Sequence, residues 1–97
     1  MLLKFAINDF LEDRQFKNLS KQTISSYSNT LNQFLSYCIN EKEVVNVEDI
    51  TATFLKNYLV FYQQKGNKPS AINHKIRNLK VFFQYLSDEE IVNPTKN

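Results

Sequence analysis

The apolar residues near the C-terminal end of the chain repeat with the period of an α-helix. They follow one another at steps of four, three, four and three, at Ile72, Ile76, Leu79, Phe83 and Leu86. This spacing places all of them on one face of a helix. The chain has only one glycine and two prolines, too few for the many tight turns of an all-β protein. The sequence therefore predicts an all-α fold.

Helix boundaries can be placed from the same pattern and from the residues that start and stop helices. We predict a first helix over residues 3–15, a second from Ser20 to about residue 40, a third from Thr51 to Gly66, a fourth that starts at Pro69, and a short fifth between Ser87 and Pro94. Serine and threonine cap helix N-termini, proline suits a first turn, and glycine suits the residue after a helix. With 97 residues, this predicts a single domain over residues 1–97, a compact bundle of four main helices and a short C-terminal helix.

Several classes of site and location are disfavoured by the residues present. The single cysteine, Cys38, cannot form an internal disulfide, and it lies on the apolar stripe of the second helix, so we expect it to be buried. The single histidine, His74, has no cysteine or histidine at ligand spacing, so no metal or other cofactor is predicted. The longest apolar run, YLVFY, is too short to cross a bilayer, and the first ten residues contain no signal-peptide core. We expect a cytoplasmic protein with no membrane partner.

The second and fourth helices share an apolar template but differ in their polar faces. Opposite the apolar stripes lie Gln22, Ser25, Ser26, Asn29 and Gln33 on one helix, and Ser70, Asn73, His74 and Arg77 on the other, with Lys80 at the margin. No acidic residue occurs from residue 14 to 40 or from residue 50 to 87. Hydroxyls, amides and cations without carboxylates suit a phosphate backbone and the edges of bases. These faces indicate a nucleic-acid-binding surface, although an ordinary solvated face is the alternative.

Three stretches of the chain resemble the N-terminal core-binding domain of tyrosine recombinases, also called phage integrases. They are LSKQTI at residues 19–24, the helix over residues 72–86, and IVNP at residues 91–94. The resemblance covers nearly the whole chain and implies a SAM-like bundle that forms one half of a clamp around duplex DNA during integration or recombination of a mobile element. It implies DNA contacts from the second and fourth helices, through Ser20, Lys21, Gln22, Thr23, Ser26, Ser70, Asn73, His74, Arg77 and Lys80, with Lys68 as a further phosphate contact.

The resemblance also implies that this chain is not itself an enzyme. The family's chemistry belongs to a separate catalytic domain that would begin after Asn93-Pro94, so the catalytic domain is expected to be absent here and none of the five tyrosines is interpreted as the nucleophile. The implied partners are double-stranded DNA, the catalytic domain of the parent recombinase and other recombinase protomers on the DNA. The sequence departs from the family at the start of the fourth helix, where Lys68 and Ala71 replace the usual Ser-x-x-Thr cap.

Two other classes of function remain as alternatives. One is a SAM-like protein-interaction module without DNA binding. The other is a helix-turn-helix repressor, which the sequence disfavours because the connections between its long helices exceed the short turn of that motif.

Overall fold

The computed structural model describes residues 1–89, which form an all-α bundle. Its helices are α1 (Leu3–Phe16), α2 (Lys21–Ser36), α3 (Ala52–Gln64) and α4 (Pro69–Asp88). A π-helical turn over Tyr37–Glu41 continues α2, and a 3-10 turn over Val47–Asp49 precedes α3. An isolated bridge between Leu2 and Asn46 is the only β pairing in the described part of the chain. The predicted all-α bundle with four main helices is confirmed.

The predicted N-terminal caps of α2 and α3 are confirmed. The Ser20 hydroxyl accepts a hydrogen bond from the Thr23 backbone N–H at 3.2 Å, and the Thr51 hydroxyl accepts one from the Phe54 N–H at 3.0 Å. Each bond satisfies one of the N–H groups that a helix start leaves without an intrahelical acceptor. Side-chain chemistry therefore determines where α2 and α3 begin.

Gly66 ends α3 in the way that the sequence predicts. Its φ angle is +96°, in the left-handed region that glycine adopts without a steric penalty. The Gly66 N–H donates to the Gln63 carbonyl at 3.0 Å, and the Asn67 N–H donates to the Tyr62 carbonyl at 3.1 Å. This pair of bonds satisfies the last carbonyls of α3 and turns the chain toward α4.

The start of α4 also follows the sequence. Pro69 is its first residue, where its missing N–H costs no hydrogen bond. Lys68 precedes it and makes no side-chain cap bond. This agrees with the absence of the Ser-x-x-Thr cap at this position.

The predicted start of a fifth helix at Ser87 is wrong. Ser87 lies inside α4, which continues to Asp88. Leu86 is fully buried on the core face, and Gln84 Nε2 donates to Asp88 Oδ1 at 2.9 Å in the last turn, so both packing and hydrogen bonding carry the helix past Ser87. The rest of the predicted fifth helix, including Pro94, lies outside the described residues.

The core joins one fully buried aromatic residue from each helix. Phe10 of α1 packs edge-on against Phe82 of α4, with ring centroids 5.5 Å apart. Phe34 of α2 packs in the same way against Tyr58 of α3, at 4.9 Å. Edge-to-face geometry adds a specific attraction to the burial of apolar area. The rings therefore hold the helices together in pairs, α1 with α4 and α2 with α3.

The apolar face of α4 is wider than the predicted stripe because α4 packs against all three other helices. Phe82 and Asn78 are buried, whereas Ile76 and Phe83 of the predicted stripe are only partly buried. All five tyrosines lie in the core or pack against it: Tyr27, Tyr37, Tyr58, Tyr62 and Tyr85. No helix within residues 1–89 has the length and apolar character needed to cross a membrane.

Truncation of a buried ring should cost far more stability than truncation of an exposed one. Phe82 is 0% exposed, whereas Phe16, at the end of α1, is 89% exposed. We expect Phe82→Ala to lower the free energy of unfolding by about 3–5 kcal/mol. We expect Phe16→Ala to change it by less than about 0.5 kcal/mol. Urea titrations followed by circular dichroism would measure both, and similar losses would contradict the described packing.

Cys38 should be unreactive in the folded protein. It is fully buried, and burial raises the pKa of its thiol to about 12, so very little thiolate forms at pH 8. We expect Ellman's reagent to label Cys38 at pH 8 only at the rate of unfolding, and rapidly in 6 M guanidinium as the control. Because this is the only cysteine, the absorbance reports on one site. Fast, complete labelling of the folded chain would show that the core opens around Cys38.

Candidate nucleic-acid interface

A polar groove runs between the outer faces of α2 and α4. It consists of two adjoining depressions with volumes of about 680 and 380 Å³. Gln22, Ser26 and His74 line both depressions, which makes the groove continuous. We call it the α2–α4 groove, and its other lining residues are Lys21, Thr23, Ser25, Tyr27, Asn29, Thr30, Gln33, Ala71, Lys75, Arg77, Asn78 and Val81.

The charge of the α2–α4 groove is positive. Lys21, Lys75 and Arg77 line it, and no carboxylate is among the described residues that form its walls. A concave surface lined by charges of one sign concentrates counter-ions of the opposite sign. The groove is therefore suited to an anionic partner, and its amides and hydroxyls can hydrogen-bond to that partner.

The structure brings together six of the residues that the sequence predicts to contact DNA. They line the groove and are Lys21, Gln22, Thr23, Ser26, His74 and Arg77. All except Ser26, which is half-buried, are exposed. These six residues therefore share one surface, and their contact with DNA stays a prediction.

The other predicted residues lie outside the groove. Ser20 caps α2, and its hydroxyl also lies 2.9 Å from the Thr23 hydroxyl. Lys80 lines a separate depression between α1 and α4, beside Arg14 and Lys17. Lys68, Ser70 and Asn73 are exposed around the first turns of α4 but do not line the groove. If they contact the same partner, they do so from its margins.

Beneath the groove, a buried amide ties α2 to α4. Asn78 and Thr30 are only 4% and 6% exposed. Asn78 Nδ2 donates to Thr30 Oγ1 at 2.9 Å and to Ser26 Oγ at 3.1 Å. Because an unpaired polar group is costly in a core, these bonds favour one alignment of the two helices. Asn78 thus determines which side chains face each other across the groove.

The hydrogen bonds continue from this amide to the surface. His74 Nε2 lies 2.7 Å from Ser26 Oγ, and Arg77 Nη2 lies 3.0 Å from His74 Nδ1. We call the series Thr30, Asn78, Ser26, His74 and Arg77 the interhelical chain. Three of its members were predicted as separate DNA contacts, whereas the structure joins them into one unit.

Lys75 crosses the groove instead of extending into solvent. Its amine donates to Gln33 Oε1 on α2 and lies 4.5 Å from the centroid of the Tyr62 ring. Burial lowers the pKa of Lys75 from its ordinary value. The cation is thus held against an aromatic face, in the range where the two attract each other. Lys75 adds a positive charge to the groove that the predicted contact set omitted.

Thr30 and Asn78 were not among the predicted site residues, but the internal repeat that relates α2 to α4 contains a signal for them. The two pairs Ser26 with His74 and Thr30 with Asn78 are each hydrogen-bonded at a separation of 48 positions. The same offset superimposes the apolar residues of α2 and α4, such as Leu31 on Leu79. In these two pairs, equivalent positions of the two helices therefore meet each other. Reading the repeat as a contact map would have identified Thr30 and Asn78.

A family model described as the phage integrase N-terminal SAM-like domain matches residues 7–93. The chain belongs to this family. The matched region is the N-terminal domain, which is not the catalytic domain of tyrosine recombinases. This assignment agrees with the interpretation that none of the five tyrosines is the nucleophile.

Relatives of this integrase domain are named as tyrosine recombinases. It is 36% identical over 81 residues to one from Caldanaerobacter subterraneus, covering 82% of this chain and 27% of that protein. It is 28% identical over 91 residues to tyrosine recombinase XerD of Oceanobacillus iheyensis, covering 93% and 31%. It is 30% identical over 80 residues to tyrosine recombinase XerC of Staphylococcus haemolyticus, covering 80% and 26%. The chain thus spans under a third of the length of these curated relatives.

A solved structure confirms the fold of the integrase domain. The crystal structure of the N-terminal domain of a phage integrase/site-specific recombinase from Haloarcula marismortui superimposes with a TM-score of 0.84. The alignment covers 96% of this chain and 88% of that chain at 20% sequence identity. The shared architecture is the predicted SAM-like helical bundle.

The losses of stability caused by removing Asn78 and by removing Thr30 should not be additive. We expect Asn78→Leu and Thr30→Val each to lower the free energy of unfolding by about 1–3 kcal/mol, because each leaves a buried polar group without its partner. The double variant should lose clearly less than the sum, since neither partner then remains. Urea titration of all four proteins measures this coupling.

A matched cycle on the surface provides the control. Asn73 on α4 and Thr53 on α3 are both exposed. The changes Asn73→Leu and Thr53→Val should therefore be small and additive. Strict additivity in the buried pair as well would mean that the Asn78–Thr30 bond does not form.

Proposed function

We propose that this domain binds double-stranded DNA in the α2–α4 groove, as one half of the clamp with which a tyrosine recombinase holds its substrate during DNA integration or recombination. The observation that carries the proposal is the lining of that groove: cations, amides and hydroxyls without a carboxylate, in a domain of the integrase family. Duplex DNA presents a high density of phosphates, so the cations of such a surface attract it, and no carboxylate among the described lining residues repels its phosphates.

The lining suggests a division of roles within the groove. Lys21 and Arg77 are exposed cations at the walls of the two depressions and suit phosphate oxygens. Gln22 lines both depressions, and its amide has the donor and acceptor needed to pair with an adenine edge. Phosphate contacts would supply most of the affinity, and Gln22 would supply some preference for sequence.

The proposed partners follow from the family and from the length of the relatives. The curated recombinases are more than three times as long as the matched region, which leaves room in them for the catalytic domain. In the proposed arrangement, that domain cuts and rejoins strands while this one grips and orients the duplex. Other recombinase protomers would occupy neighbouring sites on the same DNA, in the cytoplasm.

A protein-interaction module is the second candidate function, and a specific observation favours it. Leu2, Phe5 and Val45 are each more than a third exposed, and the Leu3 N–H donates to the Val45 carbonyl, which brings these segments side by side. Exposed apolar residues that lie together are typical of protein-contacting surfaces. This surface lies outside the α2–α4 groove, so a titration that maps the contacts separates the two functions.

The isolated domain should bind duplex DNA weakly and with a strong dependence on salt. With contacts from one half of a clamp, we expect a Kd of about 10⁻⁴–10⁻⁶ M. If Lys21, Lys68, Arg77 and Lys80 each neutralise a phosphate, log K should fall against log salt with a slope of about −3.6. NMR titration with a short duplex should shift amides around residues 20–29 and 68–80. Shifts confined to the surface of Leu2, Phe5 and Val45 would instead support protein interaction.

Charge reversal inside the groove should weaken binding more than the same reversal elsewhere. Lys21→Glu with Arg77→Glu removes two groove cations, so the salt slope should flatten by about 1.8. Lys42→Glu with Lys56→Glu is the matched control, since both lysines are exposed, neither lines the groove, and the net charge changes equally. Fluorescence anisotropy over a salt series measures all three proteins. Equal losses in both variants would mean that net charge, and not the groove, attracts DNA.

A further inference from the structure

The interhelical chain has a fixed hydrogen-bond direction at His74. An arginine guanidinium only donates. Because Arg77 Nη2 lies 3.0 Å from His74 Nδ1, that ring nitrogen must be the acceptor. In the neutral form of the ring, which carries its proton on one nitrogen only, this contact places that proton on Nε2. The His74 Nε2–H therefore donates to Ser26 Oγ, 2.7 Å away.

Asn78 provides a second donor to the same hydroxyl. Its Nδ2 lies 3.3 Å from the Ser26 backbone carbonyl, which can only accept, and this fixes the orientation of the amide. One N–H of Nδ2 then bonds Thr30 Oγ1, and the other is shared between the Ser26 carbonyl and Ser26 Oγ. Asn78 Nδ2 also lies 3.5 Å from His74 Nε2. In this arrangement both nitrogens are donors, so this contact is not a hydrogen bond.

The Ser26 hydroxyl thus accepts hydrogen bonds from two donors, and its own O–H remains available to donate. A serine hydroxyl has two lone pairs and one O–H. With both lone pairs engaged, residues 1–89 offer that O–H no further acceptor within hydrogen-bond distance. Ser26 lines both depressions of the α2–α4 groove, so its O–H can donate to a ligand that the groove binds.

We propose that the Ser26 O–H donates to a phosphate oxygen of DNA in the middle of the groove, and that Asn78 and His74 are positioning residues that hold it in that orientation. The proposal rests on the proposed DNA binding and changes the role of His74. Its two ring nitrogens are engaged by Arg77 and Ser26, so it acts through Ser26 and not on a base. Arg77 keeps further N–H groups for a neighbouring phosphate.

The tautomer of His74 is the first test, and it does not require DNA. A long-range ¹H–¹⁵N correlation spectrum at pH 8 assigns the ring proton, and the spectrum is simple because the chain has one histidine. We expect the proton on Nε2. We expect Arg77→Ala to produce a mixture of tautomers, because the donor that fixes Nδ1 as acceptor is gone. A proton on Nδ1 in the unmodified protein would overturn the proposal even if the protein binds DNA.

The second test measures the affinity for a short duplex at constant salt. Ser26→Ala should weaken binding about tenfold without changing the salt slope, since a hydrogen bond to a charged group is lost but no charge is. Ser28→Ala is the matched control: Ser28 is on the same helix, outside the groove, and bonded to Asn32, so its removal should change the Kd less than twofold.

The role of His74 is tested by combining substitutions. His74→Ala alone should weaken binding several-fold, but in the Ser26→Ala background it should add less than twofold, because it acts through that hydroxyl. His74 is exposed, so the variant should fold, and circular dichroism checks this. Full additivity, or unchanged affinity in Ser26→Ala, would overturn this inference while leaving DNA binding intact. If the unmodified protein does not bind duplex DNA at low salt, both proposals fail together.

Discussion

The hydrogen bond between Asn78 and Thr30 is the contact on which the arrangement of the groove depends. Both residues are buried, and a buried polar group without a hydrogen-bond partner destabilises the folded state. Aromatic packing holds the four helices together, but apolar contacts tolerate small shifts of one helix along another. A buried donor and acceptor do not tolerate such shifts, because the bond is lost. The pair therefore fixes the register in which Ser26 meets His74 above it.

The distribution of carboxylates is the second constraint. Those near basic residues are engaged elsewhere: Asp13 lies 3.2 Å from Arg14 and 3.6 Å from Lys17, and Glu48 pairs with the N-terminal ammonium of Met1. The hydrogen bond from that ammonium lowers the pKa of Glu48. The cations of the α2–α4 groove have no such neighbours in its walls. Their charge is thus available to a ligand, and this is why a net charge of only +2 is compatible with an anion-binding surface.

Most of the fold follows from local signals that act within one or two turns. The caps Ser20 and Thr51, the terminator Gly66 and the 3.6-residue period depend only on neighbouring residues, so the sequence predicts them. The helix start predicted at Ser87 was wrong because a serine can cap a helix or lie within one. Which of the two occurs depends on the packing of Leu86 against residues that are distant in the sequence. Lys75 and Asn78 were missed for the same reason: each is defined by its partner on α2. The polar patterns of the single helices predict the candidate site as two faces, and only the offset of 48 positions between the helices carries a signal for the hydrogen-bonded unit.

The internal repeat explains why the two helices share an apolar template but not a polar face. At the crossing, Ser26 and Thr30 of α2 each meet the residue 48 positions later on α4. Apolar residues need no complementary partner, so Leu31 and Leu79, which both lie in the core, can be the same in both copies. Polar residues in a confined contact need complementary partners and combined lengths that fit the gap. A short hydroxyl on α2 therefore faces a longer amide or imidazole on α4: Thr30 faces Asn78, and Ser26 faces His74. Two copies with identical polar faces would place hydroxyl against hydroxyl and leave the gap unfilled.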